Sequence, residues 1–174
     1  MFITMIGDGT AFGSLVFGYF FFWTIHQDFT AGLAGPGAVW PMVALALFAA
    51  AWVAMLLARR LNTQGSTRGF RLLLGLSRLL GASASVAGCV GPWSFGMDPT
   101  AHVYPAIVWI LVAWTLVHAG VGAIMQAYCL ARSFAGRLTP EYDTDIHNVV
   151  LYWHFLMVTA LTTFAIVGLF PLAL

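Results

Sequence analysis

The stretch HNVVLYWHFLMVTALTTFAIVGLF, His147 to Phe170, decides the fold. At about 1.5 Å per residue this run crosses a hydrocarbon layer roughly 30 Å thick as one helix. Tyr152, Trp153, His154 and Phe155 stand about two turns in from a polar loop. An imidazole at that depth is costly in lipid, so His154 is expected to face protein, water or a bound polar group. A helix of this kind needs companions in the same membrane, and the rest of the chain supplies them.

The chain is 61% hydrophobic and only 7% charged, whereas soluble domains carry about 25% charged residues. Inside a bilayer each span satisfies its own backbone groups, which requires helices. Apolar segments run over about 2–25, 39–57, 72–90, 104–130 and 147–170. The polar residues His26, Gln27 and Asp28 and a Gly/Pro loop from Gly32 to Pro41 follow the first, and the second stops at Arg59 and Arg60. The first segment lacks a basic leader and contains Asp8, so it reads as a span that stays rather than a cleaved signal. Internal repeats and heptad arrays are not visible. The expected fold is all-α, one polytopic bundle of five transmembrane helices occupying 1–174.

All seven basic residues are arginine, in an alanine-rich chain, which fits a bacterium with a GC-rich genome and hence a cell inner membrane. Arg59, Arg60, Arg68, Arg71 and Arg78 lie in or beside the second connection, and Arg132 and Arg137 in the fourth. The positive-inside rule then places both connections inside, with the N-terminus inside and the C-terminus outside. A net charge of +1 and the lack of any basic run leave no footprint for nucleic acid. Cys89 and Cys129 fall near opposite membrane faces, too far apart to be bridged.

The polar groups inside the spans are the candidate site. Asp8 sits roughly 8 Å in from the inner side and His154 roughly 10 Å, so contact between them is geometrically allowed. Asp8 reads either as a wetted interfacial carboxylate or as a buried partner for another span or a lipid headgroup. His118, roughly 18 Å in, reads as a hydrogen-bonded packing residue. A haem or quinone-reactive electron carrier ligated by His118 and His154 is the alternative, against which the depth difference of roughly 8 Å speaks. His102 and His147 read as solvated. Gly9 and Gly13 form a GxxxG, and Ser77, Gly81, Ser85 and Gly88 a small-residue face on the third span. Arg78, inside that span, should snorkel or pair with an acid. Glu141, Asp143 and Asp145 read as a solvated loop leading into the last helix, whose N-terminus favours an acid. No nucleotide, zinc-protease or hydrolase motif is present, and no catalytic or metal-ligating residues are assigned.

Leu151-Tyr152-Trp153-His154-Phe155 resembles the Trp-Tyr-Trp-His-Phe of the final helix of subunit III of the haem-copper respiratory oxidases. Asp8, followed eleven residues later by Tyr19-Phe20, resembles that family's early acid and its Tyr-Phe. His118 with Gly122 fits a Leu-His-Val-x-x-Gly element of its penultimate helix. The matches fall in chain order on the first, fourth and fifth spans. The likeness is to five-span forms, particularly the part fused C-terminally to subunit I. Departures are Asp8 for the usual Glu, His147 for a Glu seven residues before the family histidine, and Met157 for an Asp three after it. The resemblance implies a non-catalytic accessory subunit packed on subunit I, with subunit II as a further partner, of a cytochrome c or quinol oxidase. Haem and copper would belong to subunit I. This chain would support proton uptake and stability and bind phospholipid, with Asp8, Tyr19, His118, Trp153 and His154 as polar or lipid-cleft contacts.

Overall fold

The computed structural model describes residues 1–26, 28–30, 32, 35–141 and 143–173. Gln27, Ala31, Leu33 and Ala34 of the first connection, Tyr142 of the fourth and Leu174 lie outside the described residues. The helices are α1 Phe2–Ile25, α2 Val39–Thr63, α3 Thr67–Ser94, α4 Val103–Phe134 and α5 Thr144–Gly168, followed by a 3-10 turn, Phe170–Ala173. All five are long and apolar enough to cross a membrane.

Several helices outrun their apolar segments. α2 continues past Arg59 and Arg60 to Thr63, and α3 begins at Thr67 rather than near Leu72. Hydropathy marks the hydrocarbon layer, whereas the hydrogen-bond ladder continues until something ends it. Between α2 and α3 that something is Gly65, at φ 76°, whose amide donates to the Asn62 carbonyl at 2.9 Å. A left-handed φ costs glycine little, so three residues suffice to reverse the chain. Pro92 is tolerated within the last turn of α3.

α2, α3, α4 and α5 form a ring in which each packs on the next and α5 closes on α2. α1 lies outside the ring, against α4 and α5. On α2 the buried residues include Ala44, Phe48, Ala51, Met55, Ala58 and Asn62, and on α3 they include Phe70, Leu74, Ser77, Gly81, Ala84, Gly88 and Gly91. These steps of alternating four and three are the seam of a left-handed, coiled-coil-like pairing. No heptad was visible in the sequence because the lipid-facing positions between them are equally apolar.

The small face of α3 receives aromatic rings from α5. A Cβ added to Gly81 would lie 2.8 Å from Trp153 Cη2, and one added to Gly88 2.9 Å from Phe164 Cζ. Lipid offers no hydrophobic drive for helix association, so this close packing is what holds the ring. Gly9 and Gly13 do not act the same way. Gly9 faces Phe155 at ordinary contact distance, but nothing approaches Gly13.

One end of the bundle gathers arginines. Asp143 and Asp145, at the start of α5, pair with Arg59 at 3.6 Å and Arg132 at 2.6 Å. The Arg71 Nε donates to Ser133 Oγ at 3.0 Å and its Nη2 to the Ser133 carbonyl at 2.6 Å, capping the C-terminal turn of α4. The loop acids expected to be simply solvated thus tie α5 to α2 and α4, while Glu141 accepts from the Thr139 hydroxyl.

Candidate functional site

His118 is buried on α4, and both ring nitrogens have neighbours. Nδ1 donates to the Trp114 carbonyl one turn back at 2.8 Å. A carbonyl only accepts, so this contact fixes the tautomer and leaves Nε2 to face the Asp8 carboxylate of α1 at 3.7 Å. In a neutral ring Nε2 would present a lone pair to a carboxylate. Attraction therefore requires one proton between them, on the ring or on the carboxyl.

The surroundings come from three helices. The imidazole stacks on Trp114 at 4.5 Å and meets the Phe155 ring at 5.9 Å. The His118 carbonyl accepts from the Tyr152 hydroxyl at 3.0 Å. A Cβ at Gly122 would come within 3.3 Å of Trp153 Nε1 and 3.4 Å of Tyr152 Cε1, so a small residue there lets α5 approach. Phe12 of α1 lies against Trp114.

These contacts correct the depth estimates. Tyr152 and Phe155, which flank His154 on α5, both reach His118, so the two histidines lie closer in height than the roughly 8 Å offset expected. The estimate counted from the ends of apolar runs, but α4 extends to Phe134 and projects beyond the start of α1. Asp8 consequently meets His118 and not His154. What separates the two histidines is helix face. His154 is exposed on the outside of the ring, its Nδ1 donating to the Val150 carbonyl at 2.7 Å and its ring edge-on to Trp52 of α2. A haem held between His118 and His154 does not fit: Nδ1 and Nε2 of His118 face Trp114 and Asp8, and His154 lies on another face.

No protein-family model matches the sequence, and no curated relative does.

Tyr19 and Trp153 lie elsewhere. Tyr19 is fully buried near the opposite end, in a cluster with Phe20, Phe29 and Phe170. Eleven residues along α1 put it roughly 16 Å from Asp8. Trp153 is wedged between α3 and α4, its indole nitrogen without a hydrogen-bond partner among the described residues. Sequence reading missed two polar elements. Gln126 donates to Ser77 Oγ at 2.8 Å, and Ser77 donates to the Ala51 carbonyl at 2.8 Å, linking α4, α3 and α2 in the core. His102, expected to be solvated, accepts from the Tyr104 amide at 3.3 Å as the cap of α4. A lone glutamine in an apolar run was a readable signal for the first.

Proposed function

We propose that this chain is a non-catalytic accessory subunit of a haem-copper terminal oxidase, of the subunit III type. The observation that carries the reading is convergence. The resemblance rests on Asp8 with Tyr19 and Phe20, His118 with Gly122, and Leu151 to Phe155, from three distant parts of the chain. Of these, Asp8, His118, Gly122, Tyr152 and Phe155 form one cluster in the fold, while Tyr19 and His154 lie apart from it.

On this reading the chain sits in a bacterial inner membrane with its arginine-rich end inside. It packs on subunit I, where haem and copper reside, and supports that subunit's proton uptake and stability, with the Asp8–His118 pair holding α1 to α4. A groove of about 460 Å3 lined by Met1, Tyr128, Asp145 and Asn148 supports phospholipid binding at the same end.

The test is purification of the tagged chain from its own membranes in mild detergent. The expected result is a co-purifying larger subunit carrying haem and copper, with the absorbance leaving when that subunit is dissociated. Haem retained in stoichiometric amount by the separated chain contradicts the proposal, as does purification with no oxidase subunit.

A further inference from the structure

His154 stands on the outside of the bundle with one nitrogen unused. It is exposed on α5 and its ring meets Trp52 of α2 edge-on, so it belongs to the outer face that these two helices share. Trp52 lies seven residues before Arg59, roughly 10 Å deeper along α2. Asp143 pairs with Arg59 at the start of α5, and His154 is eleven residues beyond it, roughly 16 Å along the helix. Both measures put the imidazole well inside the hydrocarbon.

The Nδ1 hydrogen goes to the Val150 carbonyl at 2.7 Å, which leaves the lone pair of a neutral ring on Nε2. Among the described residues Nε2 has no hydrogen-bond partner, and no carboxylate pairs with it. Trp52 does not fill the place, since its own indole N–H is buried without an acceptor among the described residues. Acyl chains carry no donor, and an unpaired acceptor in hydrocarbon is costly.

The surface around His154 has the spacing of a helix seam. His147, Leu151, His154, Val158 and Leu161 are exposed or half-exposed and follow one another by four and three along α5. A second helix packs along such an alternation at a left-handed crossing. Lipid tails would cover the apolar members equally well, so the seam alone selects nothing. The free Nε2 does select, because only a neighbour with a hydrogen to give completes it.

We propose that the α2–α5 face around His154 is an interface for a transmembrane helix of another polypeptide, one that places a hydroxyl or N–H donor against His154 Nε2. A second copy meeting this face across a two-fold axis does not fit. His154 would then meet His154, and two Nε2 lone pairs have no hydrogen to share. The inference rests on the proposed function only for the existence of a membrane partner, and adds the face and the chemistry by which that partner is held.

The test is photo-cross-linking of the full chain in its own membranes, with p-benzoylphenylalanine in place of Val158, about one turn from His154 on the same seam. The same group in place of Leu79, exposed on α3 across the ring from α5, is the control. The expected product at Val158 is one apolar segment of a different polypeptide that contains a hydroxyl, amide or indole side chain, with little product at Leu79. H154F keeps a ring against Trp52 but removes the acceptor. It should lower the Val158 yield roughly three- to fifteenfold, the equivalent of about 0.6–1.7 kcal/mol for one polar contact between membrane helices. H154Q, whose amide oxygen reaches the place of Nε2, should restore most of that yield. If circular dichroism shows H154F unfolded, H154L replaces it. Cross-links to lipid alone or to a second copy overturn the proposal, as does a yield in the acceptor-free variant equal to wild type. A donor-bearing segment from a polypeptide that is not an oxidase subunit contradicts the subunit III assignment and leaves this interface in place. An oxidase subunit caught at Leu79 and not at Val158 leaves that assignment and overturns the interface.

Discussion

His118 is fixed by its own helix and by α5 before α1 contributes anything. The Trp114 carbonyl takes the Nδ1 hydrogen, and Trp114 and Phe155 hold the ring plane. The Asp8 carboxyl of α1 then faces the remaining Nε2, with about a third of its side chain exposed. At 3.7 Å this is an ion-pair distance rather than a short hydrogen bond. In a double-mutant cycle with D8N and H118Q, the coupling energy is expected to be about 0.6 kcal/mol and at most about 1.7, the range for polar pairs between membrane helices. The measurement is unfolding of the four proteins in the same detergent. Zero coupling would mean that the pair does not help to hold α1. The sequence displayed Asp8, His118 and His154 as costly groups, but which two would meet depended on relative heights and faces that no single helix encodes.

Each ring-in-groove contact of α3 makes a glycine indispensable. At Gly88 a side chain meets Phe164, which is fully buried and stacks on Phe48. G88V is expected to cost about 1–3 kcal/mol by overpacking. G13A, with open space around it, should be neutral or stabilise by up to about 1 kcal/mol through helix propensity. Unfolding midpoints of the two variants check both values, and equal effects would contradict this packing of α3 against α5. The connection from α3 to α4 adds a pH test. The Thr100 hydroxyl and amide both donate to Asp98, at 2.7 and 2.8 Å, and hold its carboxyl below the usual carboxylate range. A lowered folded value means the turn's stabilisation is complete above the ordinary value of about 3.9 and is lost as pH falls through the lower one. The Thr100 amide resonance should therefore titrate below the ordinary carboxylate range. A midpoint near about 3.9 would contradict the turn.

The bundle as a whole is a tight ring with one looser helix. α1 touches only α4 and α5 extensively, and Phe2, Ile3, Ile6, Phe17 and Phe21 stand exposed along it. Backbone amides of α1 are expected to exchange faster than those of α2 and α3 in detergent. Uniform protection across the five helices would show that α1 is as firmly held as the ring. The ion pairs of Arg59 and Arg132 are part-exposed, so R59Q and R132Q should each cost no more than about 1 kcal/mol.

The sequence alone determined the membrane class, the five helices and the common end of most arginines, because transfer of a long apolar run into hydrocarbon is a local property. The partner of Asp8 and the outward place of His154 were decided only in the tertiary structure. Lipid-facing and core-facing residues are equally apolar here, so hydropathy carries no phase. The heights of the helices follow from where their hydrogen-bond ladders stop, and the apolar runs end elsewhere.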